Sequence, residues 1–279
     1  MKTTDGRPAR KRWKDFLLSL LFPPVCTICG ERAEEDGLCG ACRRKYAEET
    51  FARCPICGMN AGKCLCGTEF AESLETQLGG SRFLVLSWYV PAKRRDGENR
   101  VTDRMILALK NHGTFADFFT GELAREIGRL FETCGEDPRD WTVGWCPRSP
   151  EKFMETGFDQ GEELAVRLAK RLGCGSKKLF VRSSRSEEQK ELGAADRKKN
   201  AEDSLSLRKN AVTPGEKILL TDDIITTGST IRSAASLLLE AGASAVFPVA
   251  LARTMPEPRE DGKNGRPEDR SDGHGNQVN

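Results

Sequence analysis

Two adjacent carboxylates, Asp222 and Asp223, lie just beyond the apolar run Ile218-Leu219-Leu220. They are followed by Thr226-Thr227-Gly228-Ser229-Thr230, four hydroxyl side chains around one glycine. The apolar run has no alternation, which suits a central parallel strand covered on both faces. Carboxylates at the C-terminal end of such a strand occupy the place where open α/β sheets bind ligands. Ile231, Ala234, Ala235 and Leu238 then repeat at helical spacing, so the hydroxyl loop opens a helix. Backbone N–H groups, hydroxyls and the positive helix end can together wrap a phosphate. Carboxylates accept hydrogen bonds from vicinal ribose hydroxyls. The expected ligand is therefore a ribose carrying a 5′-phosphate. A P-loop is excluded, because no G-x-x-x-x-G-K-[ST] run is present.

The second chemical pattern is sulfur. Eight of the 11 cysteines fall in four close pairs: Cys26 with Cys29, Cys39 with Cys42, Cys54 with Cys57, and Cys64 with Cys66. Two thiolates on a tight turn grip one edge of a metal, and the glycine after a pair (Gly30, Gly58, Gly67) permits the left-handed turn of a zinc knuckle. Two edges make a tetrahedral site of four thiolates, so eight thiolates fit two structural Zn2+ ions. Consecutive pairing is the simplest assignment, and Cys64-x-Cys66 with the ribbon glycines suits zinc better than iron–sulfur ligation. Cys134, Cys146 and Cys174 read as small apolar packing residues.

The elements that must position these groups follow from pattern. Residues 1–15 form a basic tail, and Trp13, Phe16, Leu17, Leu20 and Leu21 repeat at helical spacing. The zinc module with its N-terminal helix spans 16–70, and Glu69 to Ser81 reads as a linker. An α/β domain is expected over 80–253, with strands at Phe83–Val90, Trp141–Cys146, Leu179–Arg182 and Ala245–Ala252 beside the Ile218 strand. Helices are expected from Val101, over Phe115–Leu130 and over Glu163–Leu172. Pro147-Arg148-Ser149-Pro150 ends a strand with proline and a cation. Residues 254–279, rich in Pro, Gly, Asp, Arg and Asn, are expected to be disordered.

The 279-residue chain carries 44 Lys and Arg against 42 Asp and Glu, which excludes a strong overall nucleic-acid footprint and confines any basic surface to local patches. No apolar run reaches membrane-spanning length. Clustered thiols in metal spacing favour a reducing cytoplasm.

Leu219 to Ile231, LLTDDIITTGSTI, resembles the phosphoribosyl-diphosphate signature of type I phosphoribosyltransferases through all thirteen residues. The whole layout resembles the ComF (ComFC) family, a double zinc ribbon joined to such a domain. The resemblance implies a doubly wound, mostly parallel α/β sheet of the type I phosphoribosyltransferase kind, with a small N-terminal zinc-ribbon module. It implies phosphoribosyl diphosphate with Mg2+ at Asp222, Asp223, Thr226, Thr227, Gly228, Ser229 and Thr230, with Arg148 and Lys152 on the pyrophosphate side. Family chains carry R-G-F-N-Q where this chain has Thr156-Gly157-Phe158-Asp159-Gln160, and a Q-x-G-L-S-R-x-x-R-x-x-N segment matched here by Gln189, Leu192, Arg197 and Asn200. Glu191-Leu-Gly-Ala stands where that segment has G-L-S-R, and a histidine usual near Ser149 is absent. Positive charge is thus lost on the pyrophosphate side, while the ribose and 5′-phosphate side is complete.

Two functions remain open on this reading. One is a ligand-binding factor in natural competence, acting on single-stranded transforming DNA with other DNA-uptake proteins, in the cytoplasm or peripheral at the inner membrane face. For it, Arg10–Lys14, Arg43–Lys45 and Arg197–Lys199 are candidate DNA contacts. The other is an active phosphoribosyltransferase of nucleotide or related metabolism, with Asp222 and Asp223 as its catalytic carboxylates. No residue identifies the acceptor.

Overall fold

A computed structural model describes residues 24–33, 37–94, 100–182 and 205–257. The basic tail, the N-terminal helix, the Gln189–Asn200 segment and residues 258–279 lie outside the described residues. Seven strands are present among them: β1 (Leu84–Tyr89), β2 (Trp141–Trp145), β3 (Gly175–Lys177), β4 (Phe180–Arg182), β5 (Leu205–Leu207), β6 (Lys217–Ile225) and β7 (Ala245–Thr254). Helices are α1 (Gly40–Thr50), α2 (Glu69–Glu72), α3 (Val101–His112), α4 (Ala116–Cys134), α5 (Pro150–Thr156), α6 (Gln160–Leu172) and α7 (Ser229–Glu240).

Five strands form one sheet in the order β1-β7-β6-β2-β3, and every pairing in it is parallel. β4 and β5 form a separate antiparallel pair. β6 is central, and Ile218, Leu219 and Leu220 are wholly buried, as an unalternating apolar run requires. Leu219 joins the core beneath α3, α4 and α6, whereas Ile218 and Leu220 join the core beneath α7. The helices present matching stripes: Phe119, Leu123, Ile127 and Phe131 on α4, and Ile231, Ala234, Ala235 and Leu238 on α7.

Two expectations are corrected and one element is added. Glu69–Ser81 is not a linker: it contains α2, and Phe70, Ala71, Leu74 and Leu78 are buried. The stretch after Pro147 contains α5, whose N-cap is Ser149 with Pro150 in the first turn. The C-terminal tail does not begin at Thr254, since β7 runs through it and the Met255 N–H donates to the Tyr89 carbonyl at 2.9 Å.

The cysteine-rich module is packed on this sheet. Cys26, Leu38, Cys42 and Tyr46 belong to the core under α3 and α4, while Cys54, Cys64 and Phe70 belong to the core under α7. Within the sheet β1 pairs only with β7, leaving an edge that templates unwanted strand addition unless covered. α1 packs beside β1, and a Cβ on Gly62 would stand 3.4 Å from the Val85 carbonyl oxygen. The module thereby flanks that edge.

Candidate functional site

Asp222 and Asp223 lie near the C-terminal end of β6, which runs on to Ile225, and the hydroxyl residues follow it directly. Successive strand residues face opposite ways, so the two carboxylates have different surroundings. Asp223 is buried. It accepts a hydrogen bond from Gln160 Nε2 at 2.8 Å and lies 3.3 Å from Lys110 Nζ. Asp222 is half-buried and accepts from the Asp223 N–H at 2.8 Å. Burial, and secondarily the adjacent Asp223 charge, push the Asp222 carboxyl up to about 7. Lys110 and Arg182 oppose that rise.

α3 brings Lys110 into place. Near its start, Asp103 Oδ1 accepts from the Val90 N–H just past β1 at 3.3 Å, and near its end Lys110 reaches Asp223. The helix therefore lies across the C-terminal end of the sheet. Its N-terminus is capped from the cysteine-rich module: Glu49 of α1 accepts from the Val101 and Thr102 N–H groups, each at 2.8 Å. A carboxylate is the preferred partner for these orphan donors and for the positive helix end.

Arg148 is brought to this cluster by hydrogen bonds of its own. Its Nη1 donates to the Lys110 carbonyl at 2.7 Å and to Gln160 Oε1 at 2.9 Å. Arg148 thus fixes the amide that holds Asp223. Lys152 is exposed on α5, and its ammonium makes no ion pair among the described residues. Asp159 caps α6 by accepting from the Gly161 and Glu162 N–H groups at 2.9 and 3.4 Å, so the departure from asparagine keeps the capping chemistry. Thr156 Oγ1 donates to the Lys152 carbonyl at 3.0 Å within α5.

In the hydroxyl loop Thr226 and Thr227 are exposed, Gly228 is buried, and Ser229 and Thr230 are half-buried. Thr227 Oγ1 lies 3.1 Å from Ser229 Oγ. Gly228 is left-handed (φ 78°) and stands at the N-cap of α7, and Thr227 Oγ1 accepts from the first helical N–H, that of Ser229, at 3.4 Å. Glycine is required there twice over, because a methyl at this position would also overlap the Phe70 ring.

The eight paired cysteines gather into two clusters, Cys26, Cys29, Cys39 and Cys42, and Cys54, Cys57, Cys64 and Cys66, with ligand atoms within 4.8 Å of one another. Sulfur atoms of Cys29 and Cys39, and of Cys57 and Cys64, lie 3.5 Å apart. A tetrahedral Zn2+ with bonds of about 2.3 Å sets its sulfurs about 3.8 Å apart, so both clusters are compatible with zinc. Backbone N–H groups of Cys42, Ile56 and Cys66 point at ligand sulfurs at 3.3–3.4 Å. Gly30, Gly58 and Gly67 have φ of 80°, 73° and 65°, as the knuckle turn demands. Beside the second cluster, buried Arg253 donates to the Cys64 carbonyl at 2.6 Å and to the Cys66 carbonyl. Four thiolates around Zn2+ carry net negative charge, which suits a buried guanidinium next to them.

Sequence reasoning missed Lys110, the orienting role of Gln160, and Phe70. Lys110 is far in sequence from the carboxylates, and its only local signal is a lysine ending a helix before Gly113. Phe70 was hidden by its polar neighbours.

Comparison with known proteins bears on the chain as a whole. The double zinc ribbon domain family matches residues 17–74, and the phosphoribosyl transferase domain family matches residues 159–270. The chain is 27% identical over 243 residues to the DNA utilization protein YhgH of Salmonella typhi, covering 85% of this chain and 100% of that protein. It is 36% identical over 112 residues to the competence protein ComFC of Streptococcus pneumoniae, covering 38% of this chain and 46% of that one. An adenine phosphoribosyltransferase from Thermoanaerobacter pseudethanolicus superposes with a TM-score of 0.32 at 19% identity, over 52% of this chain and 83% of its own; the fold description rests on the strand order instead. With both domains matched in order along one chain, the protein carries a double zinc ribbon domain followed by a phosphoribosyltransferase domain and is similar to proteins named YhgH and ComFC.

Proposed function

We propose that the chain binds phosphoribosyl diphosphate, or a related ribose-5-phosphate ligand, and acts through it in the handling of single-stranded DNA during natural competence. The observation that carries the ligand reading is the continuity of β6: the strand that carries Asp222 and Asp223 runs through Ile225 straight into a hydroxyl loop with glycine at the N-cap of the following helix. In this reading Asp222 accepts hydrogen bonds from the ribose hydroxyls, and Asp223 is held by Gln160 and Lys110 as the second acceptor. Thr226, Thr227, Ser229 and Thr230, with the N–H groups after Gly228, surround the 5′-phosphate. Mg2+ offsets pyrophosphate charge when the diphosphate is bound. Lys110 and Arg148 supply cations on that side, with Lys152 nearby in sequence.

The DNA role comes from the relatives, one named for DNA utilization and one for competence. Among the described candidate contacts, Arg44 and Lys45 are exposed on α1. Arg43 lies over the Phe118 ring at 5.9 Å; Arg10–Lys14 and Arg197–Lys199 are outside the described residues. A cytoplasmic place, peripheral at the inner membrane face, goes with this role; no helix among the described residues is long and apolar enough to cross a membrane.

The second reading is an active transferase, favoured by Lys110 beside Asp223, a cation that partly restores the charge missing from the pyrophosphate side. Here the carboxylates hold the ribose while positive charge develops at its anomeric carbon. Pyrophosphate release across a panel of nucleobases and amines, set against salt-dependent single-stranded DNA binding and DNA uptake by a deletion strain, separates the two. Lost uptake without turnover supports the first; unchanged uptake with robust turnover supports the second.

A further inference from the structure

Both ends of the hydroxyl loop are tied to the second cysteine cluster. At the strand end, Ile225 pairs in register with Arg253 of β7. The Arg253 guanidinium holds the carbonyls of Cys64 and Cys66 and lies 5.0 and 5.6 Å from the centres of the Trp88 and Phe83 rings. At the helix end, the Phe70 ring fills the space where Gly228 has no Cβ. Phe70 is 1% exposed and packs on Phe83, ring centres 5.5 Å apart.

Only Gly67, Thr68 and Glu69 separate Cys66 from Phe70. That stretch is knit to the cluster, because the Thr68 N–H donates to the Leu65 carbonyl at 3.3 Å and the Ala71 N–H to the Thr68 carbonyl at 2.7 Å. α2 has four residues, too short to hold its own shape, and Arg82 Nη1 ties its C-terminal end by donating to the Ala71, Glu72 and Leu74 carbonyls at 3.0–3.2 Å. In the loop above it, Thr227 Oγ1 lies 3.1 Å from Ser229 Oγ and accepts from the Ser229 N–H at 3.4 Å; Gly228 is left-handed, and Thr226 and Thr227 are exposed. Two further contacts reach the loop from residues tied to the cysteine cluster, Phe70 against Gly228 and Arg253 beside Ile225.

We propose that Phe70 and Arg253 are positioning residues through which the second cysteine cluster holds the Thr226–Thr230 loop in its anion-binding shape. Metal at Cys54, Cys57, Cys64 and Cys66 and ribose 5-phosphate at the loop then strengthen each other's binding. This rests on reading the loop as a phosphate site. Linkage is reciprocal: zinc raises the affinity for ribose 5-phosphate, and ribose 5-phosphate raises the affinity of this cluster for zinc by the same factor.

Two measurements on the full zinc-loaded chain test it. Hydrogen exchange at the amides of residues 226–230 is compared between wild type and Phe70→Leu, which keeps an apolar side chain and avoids the larger cavity of alanine. Zinc release to a chelator is followed with and without ribose 5-phosphate, each cluster being resolved by cysteine alkylation and mass analysis. The expected results are faster loop exchange in Phe70→Leu with zinc content unchanged, at least about fivefold weaker binding of ribose 5-phosphate, and ligand protection of Cys54–Cys66 but not Cys26–Cys42. Unchanged loop exchange in Phe70→Leu overturns the positioning role. If ribose 5-phosphate binds the wild type yet leaves its zinc release untouched, the coupling falls; if exchange responds to Phe70→Leu but ribose 5-phosphate does not bind the wild type, the ligand reading of the loop falls and the positioning contact stands.

Discussion

Asp222 is held in an environment that disfavours its charge, while Asp223 is surrounded by donors. The folded-state value of Asp222, near 7, lies above its ordinary value, so the folded chain binds more protons than the unfolded chain between the two. Stability from this group accordingly falls as pH rises through that window, and the full cost is present above it. Asp222→Asn is predicted to stabilise the free protein at pH 8 by on the order of 1 kcal/mol, with the gain shrinking toward pH 5, while abolishing ligand binding. Urea denaturation at the two pH values checks the sign. A second residue-scale prediction concerns Gln160, whose amide joins Arg148 to Asp223. Gln160→Ala removes that join, and binding of phosphoribosyl diphosphate is expected to weaken about tenfold, in line with a hydrogen bond to a charged group. Glu at this position should be worse, because it sets a third carboxylate against Asp223. Calorimetric titration of both variants decides it.

At the scale of elements, β6 was legible in the sequence because the short unalternating run Ile218-Leu219-Leu220 suits a strand buried on both faces, and the helix after it because Ile231, Ala234, Ala235 and Leu238 keep helical period. The three knuckle turns were legible for the same reason: cysteine pairs followed by glycine leave few conformations. α2, α5 and β3 were not, since segments of three to seven residues carry less than one or two periods of pattern, and tertiary contacts decide them. α3 was visible as a helix but its place across the sheet was not. That placement depends on Glu49, a residue of another module, capping it. Glu49→Ala should cost about 1–2 kcal/mol, because two N–H groups lose a charged acceptor. It should also loosen Lys110 at the far end of the same helix, seen as weaker binding of the diphosphate than of ribose 5-phosphate. An equal effect on both ligands would detach the cap from the pyrophosphate side.

Across the whole molecule, the two cysteine clusters contribute to different cores on opposite faces of one sheet. The reading of a metal-folded module was accessible from sequence, but its burial against the α/β domain was not, because polar residues surround Phe70, Leu74 and Leu78 and masked them as a linker. Removing metal should therefore destabilise the α/β domain as well as the ribbon, lowering the melting temperature of a single cooperative transition. Calorimetric scanning that shows the α/β transition unmoved after chelation would argue for independent units. The central claim, that ribose 5-phosphate chemistry belongs at the end of β6, is tested most directly by titrating phosphoribosyl diphosphate with Mg2+ into the zinc-loaded chain and into Asp222→Ala/Asp223→Ala. The account predicts saturable heat with one site in the wild type and none in the variant; absence of heat in both, or equal binding in both, would contradict it.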